Sequence, residues 1–128
     1  MLVGPGCCAC RGGSDVIVYT SMSPLGPYTL VGSVGKNTTA PFDPASPYNY
    51  VTRAQQTKVV SVPDGSGNKT QYLWIGNAWV TSPGPLPGGV GGPRDQDLLY
   101  FSVLEFTTGG IIQQMRREEE CQLDVPWE

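Results

Sequence analysis

An all-β chain built from antiparallel meander sheets is the fold class this sequence predicts, and three observations carry that prediction. Runs of alternating β-branched or aromatic-rich residues recur along the 128 positions. The 17 glycines and 12 prolines collect between those runs. An apolar period of 3.6 residues is nearly absent, so the pattern is that of strands and turns.

Taken in order, the expected strands are "DVIVYT" (15–20), "YTLVGS" (28–33), "TKVVSV" (57–62), "TQYLWIG" (70–76), "DLLYFSVLEF" (97–106) and "IIQQM" (111–115). Each is flanked by Gly, Pro, Asn or Asp. The connections "SMSPLGP" and "PDGSGN" have the Pro and Gly placement of tight turns, and "TTGG" suits a short hairpin. Asp64 in "PDG" reads as turn chemistry. "QQMRREEE" is the one candidate helix, and it reads equally as a strand end followed by a charged, solvated turn.

Two stretches lack pattern, residues 35–54 and 81–97. Loops of that length in a compact unit usually have a use, and shaping a site is the use expected here. The strands divide into a first unit over approximately 1–50 and a second over 51–128, each of the size and meander grain of a β-propeller blade. Two blades cannot close a ring, so the expectation is one partial propeller unit over 1–128, with a two-sheet sandwich as the alternative.

Composition narrows the function. With 8 Lys plus Arg against 11 Asp plus Glu, the chain offers no basic surface for nucleic acid. No apolar run reaches the roughly 18 residues of a membrane-spanning helix, and "MLVGPGCC" lacks the features of a signal peptide. "NTT" at Asn37 and "NKT" at Asn68 are glycosylation sequons in loop-like surroundings, which fits a secreted parent protein. Of the four cysteines, Cys7, Cys8 and Cys10 cluster and Cys121 stands near the other end. A disulfide between them would close a long loop and contribute about 3 to 5 kcal/mol in the chain-entropy model. With no histidine and with two of the cysteines adjacent, a disulfide plus buried thiols is favoured over zinc.

The absence of histidine also excludes Ser-His-Asp and Cys-His catalysis, and no "GxSxG" or phosphate loop is present. Glycoside hydrolysis needs paired carboxylates. The candidates are Asp95 and Asp97 around Gln96, Glu105, Asp43 and Asp64, of which Asp97 reads mainly as a strand-end hydrogen-bonding group and Glu105 as outward-facing. Tyr72, Trp74, Trp79, Tyr100 and Trp127 offer the flat faces that sugar sites use, although at strand spacing most such residues are core. At "AQQTKVV", an unbroken strand places Gln55, Thr57 and Val59 on one face and Gln56, Lys58 and Val60 on the other.

The stretch "CCACRGGSDVIVYTSMSPLGPYTLVGSVG" resembles the later blades of glycoside hydrolase family 43, especially the galactan 1,3-β-galactosidase-like branch. "NYVTRAQQTKVV" is similar to that branch's "SQxTxV" strand, "YLWIGNAW" to its "YxxxGDRW", "DLLYFSVLEF" to its "YxWLPLEF", and "VPW" to a closing tryptophan. The resemblance covers nearly the whole chain in order. It implies the carboxyl-terminal two blades of a five-bladed propeller whose parent hydrolyses β-1,3-galactan or related β-galactosides with inversion.

Under that resemblance Gln55 takes the place of a water-positioning residue, with Thr57, Trp79, Asp97 and Tyr100 as candidate sugar contacts. The partners implied are a galactan-type oligosaccharide or polysaccharide and the amino-terminal blades of the same protein, with an extracellular location for the full-length parent. No cofactor is assigned to this chain, and a central calcium belongs, if anywhere, to the full propeller. Asn77 and Ala78 depart from the family's Asp and Arg. The catalytic acid is missing, so the chain alone is expected to be inactive. The alternative is a non-catalytic carbohydrate-binding or scaffold module using Trp79, Tyr100 and the long loops.

Overall fold

A computed structural model describes residues 1–4, 14–36, 50–52, 54–78, 98–118 and 120–126. Among these residues there are six strands: β1 (Leu2–Val3), β2 (Ile17–Thr20), β3 (Thr29–Ser33), β4 (Gln55–Pro63), β5 (Thr70–Ala78) and β6 (Leu98–Val103). They form two three-stranded antiparallel sheets, ordered β1-β2-β3 and β4-β5-β6. The all-β expectation therefore holds, and no helix occurs among the described residues. Five of the six expected strands are present. The short β1 was not anticipated, because two residues carry no alternation.

The sheets meet over one core. Val16, Val18 and Val34 come from the first unit, Ala54, Trp74, Ala78 and Leu104 from the second, and Met115 from the carboxyl-terminal segment. Backbone bonds cross between the units: Ser14 N donates to Ala54 O at 3.3 Å, and Met115 N to Val34 O at 2.9 Å.

Both sheets carry a bulge on an outer strand. Val18 pairs with Gly32 but Tyr19 with Leu30, so Val31 is the extra residue in β3. Gln56 pairs with Gly76 but Lys58 with Ile75, so Thr57 is the extra residue in β4. Bulges at edges interrupt the row of unpaired backbone groups that would otherwise template another chain, and β4 adds Lys58 and a terminal Pro63 to the same effect.

Two turns match their sequence chemistry. In the β2–β3 connection, serine hydroxyls accept from backbone amides (Ser23 N to Ser21 Oγ, 3.1 Å; Leu25 N to Ser23 Oγ, 3.3 Å), and the Gly26–Pro27 bond is cis. In the β4–β5 connection the Asp64 carboxylate accepts from Asn68 N at 3.0 Å, Lys69 N at 3.1 Å and Ser66 Oγ at 2.8 Å. The reading of Asp64 as a turn residue is thus met.

"QQMRREEE" forms no helix, and "IIQQM" is no continuous strand; only Ile112 makes a bridge, to Phe106. The reason lies in where its amides go. Gln113 N donates to Glu105 O in the second unit, whereas Met115 N donates to Val34 O in the first, both at 2.9 Å. The segment thus crosses from one unit to the other. Its side chains bond to both units: Gln114 Nε2 donates to Val34 O of the first at 2.7 Å, and Arg117 Nη1 to Thr52 O of the second at 3.0 Å.

The turn bonds hold the Asp64 carboxyl below its ordinary range, chiefly through the Lys69 amide and the Ser66 hydroxyl. A lowered folded-state pKa contributes stability that is complete above the unfolded value and is lost as pH falls through the folded one. Thermal melts of Asp64→Asn between about pH 5 and about pH 2 are therefore expected to show a flatter acid slope than the parent. An unchanged slope would contradict this account of the turn.

Candidate functional site

The register of β4, β5 and β6 decides which candidate residues share a face. One row across the sheet is Gln56–Gly76–Tyr100, and the next is Gln55–Asn77–Leu99. Residues paired in a ladder project to the same side, and neighbouring rows project to opposite sides. Tyr100 therefore shares its face with Gln56, whereas Gln55 lies on the other side with Asn77. The bulge also removes Thr57 from the ladder, so the alternation expected for Gln55, Thr57 and Val59 is corrected. Val59 pairs with Trp74 and belongs with Gln56.

The inner face is built around Trp74, which is fully buried. A Cβ added at Gly76 would lie 2.4 Å from Trp74 Cη2, 2.7 Å from Cζ3 and 2.9 Å from Gln55 O. The indole thus occupies the space over Gly76, and only a residue without a side chain fits the centre of β5 there. On one side of the ring, Trp74 Nε1 donates to Gln56 Oε1 over a long 3.4 Å. On the other, Tyr100 meets it edge-on at 6.3 Å between centroids. The indole N–H is donor-only and needs a partner when buried, which is the physical need Gln56 meets.

Gln56 is engaged at three points. Its Nε2 donates to Leu2 O at 3.1 Å, its Oε1 accepts from Trp74, and its backbone N donates to Ser14 Oγ at 3.4 Å. Tyr100 is held as firmly: Arg117 lies 5.4 Å from its ring centroid, and its hydroxyl accepts from Glu118 N at 2.9 Å. The half-buried Gln55 and the exposed Thr57 lie at the start of β4, beside the bulge. Trp79 and Asp97 lie outside the described residues, so the expected grouping of Gln55, Thr57, Trp79, Asp97 and Tyr100 is seen only in part, and Gln55 and Tyr100 fall on opposite faces.

Next to Gln56 on the inner side is an open cleft of about 450 Å³, lined by Leu2, Gln56, Val59, Tyr72, Leu104 and Phe106 among others. Tyr72 and Phe106 form a tilted aromatic pair 5.5 Å apart, and each is about two-fifths exposed at 39% and 40%. The sequence shows Tyr72 as one of several aromatics but does not single out Phe106, whose approach depends on the chain leaving β6 after Val103 and turning back at Gly110, which has φ +76°. A second depression of about 400 Å³ is lined by Val103, Glu105, Glu118, Glu120 and Gln122. Glu105 is exposed there, as its sequence position implies. Among the described residues no cluster of His, Cys, Asp and Glu is arranged to hold a metal ion.

The remaining candidates separate. Cys121 carries a free, exposed thiol, so the expected staple through it is not formed, and Cys7, Cys8 and Cys10 lie outside the described residues. Partial burial and the nearby Glu118 carboxylate push that thiol above its ordinary range. Asn68 is exposed in the β4–β5 turn, and Asn37 lies outside the described residues. Comparison of the chain with family models, with curated proteins and with solved structures gave no match.

Two substitutions test this geometry. Gly76→Ala forces a methyl into the Trp74 ring and the Gln55 carbonyl and is expected to destabilise the fold by about 1–3 kcal/mol in urea unfolding. Gln56→Ala leaves the indole N–H and the Leu2 carbonyl without their partner and is expected to cost about 1–3 kcal/mol in the same measurement. Parent-like midpoints for both would contradict the arrangement.

Proposed function

We propose that this chain is the carboxyl-terminal, two-blade part of a family 43-like glycoside hydrolase, secreted and acting with inversion on β-1,3-galactan or related β-galactosides. The observation that carries the reading is the repeat of one architecture in consecutive units of blade size. Each unit is a three-stranded antiparallel meander that begins a fourth pairing: Lys36 bridges Tyr50 in the first, and Phe106 bridges Ile112 in the second. Four-stranded meanders are the repeating element of propellers.

The outer face of the second sheet adds support. Leu73 and Ile75 of β5 lie on the side away from Trp74, flanked by Leu99 at 50% and Phe101 at 38% exposure. An apolar second face suits a sheet that is packed on both sides, as an internal blade is. The sequence motifs supply the family, and Gln55 is the residue to which they assign the water-positioning role. Gln56 cannot easily share it, since both ends of its amide already hold Trp74 and Leu2. A neutral amide is a weak base, so Gln55 acts by orienting water, with the acid supplied by earlier blades.

Two measurements test the reading. The chain alone is expected to leave an aryl β-galactoside unhydrolysed, and turnover above background would contradict it. In a protein that also carries the amino-terminal blades, Gln55→Ala is expected to lower kcat by about 10²–10⁴-fold, the usual worth of a positioned proton-transfer group, while sugar binding persists. Unchanged turnover would remove Gln55 from the mechanism.

A second reading, a non-catalytic carbohydrate-binding module, is favoured by the Tyr72–Phe106 pair beside the cleft, because exposed aromatic faces next to an amide are what sugar rings stack on. Under it, the isolated chain binds β-1,3-galacto-oligosaccharides and Tyr72→Ala abolishes binding. Binding that survives this change would dismiss the cleft as the sugar site.

A further inference from the structure

The β4–β5 turn presents a modification site that neither the hydrolase nor the binding reading uses. Asn68, Lys69 and Thr70 form an Asn-X-Thr acceptor with no proline at the middle position, the tripeptide that N-linked glycosylation reads. All three are exposed. The Asn68 backbone is fixed by its amide, which donates to Asp64 Oδ1 and, at 3.3 Å, to Ser66 Oγ. Its carboxamide makes no hydrogen bond among the described residues, and neither does the Thr70 hydroxyl at the first position of β5. The turn therefore holds the acceptor backbone in a defined place while leaving the reacting group free.

From this arrangement we propose that Asn68 is an N-glycan acceptor. In the reaction Asn68 Nδ2 attacks the anomeric carbon of a lipid-diphosphate-linked oligosaccharide. The C–N bond forms as the C–O bond to the diphosphate breaks, the lipid diphosphate leaves with the bonding electron pair, and Nδ2 gives up one proton. The turn accommodates the product without repacking. Asn68 lies at the end of the hairpin, whereas the core residues Trp74 and Ala78 lie further along β5. The carboxyl-terminal segment is fastened to the same hairpin by Gln71, whose Nε2 donates to Asp124 O at 2.5 Å, and Asp124 lies against Gly65 of the turn, while Asn68, Lys69 and Thr70 remain exposed. The proposal shares with the hydrolase reading only its secretory route and does not depend on the catalytic assignment.

The test is secretion of the full chain from a eukaryotic host, followed by glycopeptide mapping, which separates Asn68 from Asn37. A glycan is expected on the Asn68 peptide, lost in Asn68→Gln and Thr70→Val and kept in Thr70→Ser, which preserves the hydroxyl. An endoglycosidase is expected to release it from the native protein, leaving the melting temperature unchanged. An unmodified Asn68 peptide in the secreted chain would overturn the proposal. So would a glycan released only after denaturation, because the acceptor would then not be the exposed turn described here.

Discussion

The indole of Trp74 lying over Gly76 is the contact on which the rest of the arrangement depends. Trp74 is fully buried, and its indole occupies the space that a side chain at Gly76, two residues along on the same face, would fill. Burial then obliges the indole N–H to find an acceptor, because an unmade bond to a buried donor costs about 1–3 kcal/mol. Gln56 is that acceptor, and its other end reaches the Leu2 carbonyl of the opposite sheet. One apolar packing decision therefore dictates a polar residue, and the polar residue joins the two units.

The carboxyl-terminal segment completes the junction from the other side. Gln113 is bonded to the second unit, Met115 and Gln114 to the first, and Arg117 spans from the Thr52 carbonyl to the Tyr100 ring. Such a segment has neither helical nor strand periodicity, because its hydrogen-bonding partners change from residue to residue. Its role is to fix Tyr100 against Trp74, which makes Tyr100 part of the junction whatever else it touches.

The strands were legible in the sequence wherever alternation was sustained over four or more residues, as in "DVIVYT" and "TQYLWIG". The turn at Asp64 was legible because an Asx side chain beside Gly and Pro has few other uses. Three features were not. The two-residue β1 has no pattern to read. The crossing segment at Gln113–Arg117 takes its conformation from partners far along the chain. The bulge at Thr57 needs no special residue, and it inverts every facing assignment made by counting through it. The pair of glutamines illustrates the consequence: counting shows that they differ, but only the register shows that Gln56 is the one turned to Trp74. The candidate site was legible in part, with Gln55 and Thr57 adjacent at the bulge and Tyr100 on the other face.

This division separates the two amides, Gln56 as the inter-sheet tie and Gln55 on the far face with Asn77. The placement of Gln56 against the buried indole is the central claim. It is tested most directly by the nuclear Overhauser contacts of the Trp74 indole proton in an isotope-labelled chain. The structure requires a contact to the Gln56 side chain and slow solvent exchange of that proton. A contact to the Gln55 side chain in its place, or exchange as rapid as in an unfolded peptide, would contradict it.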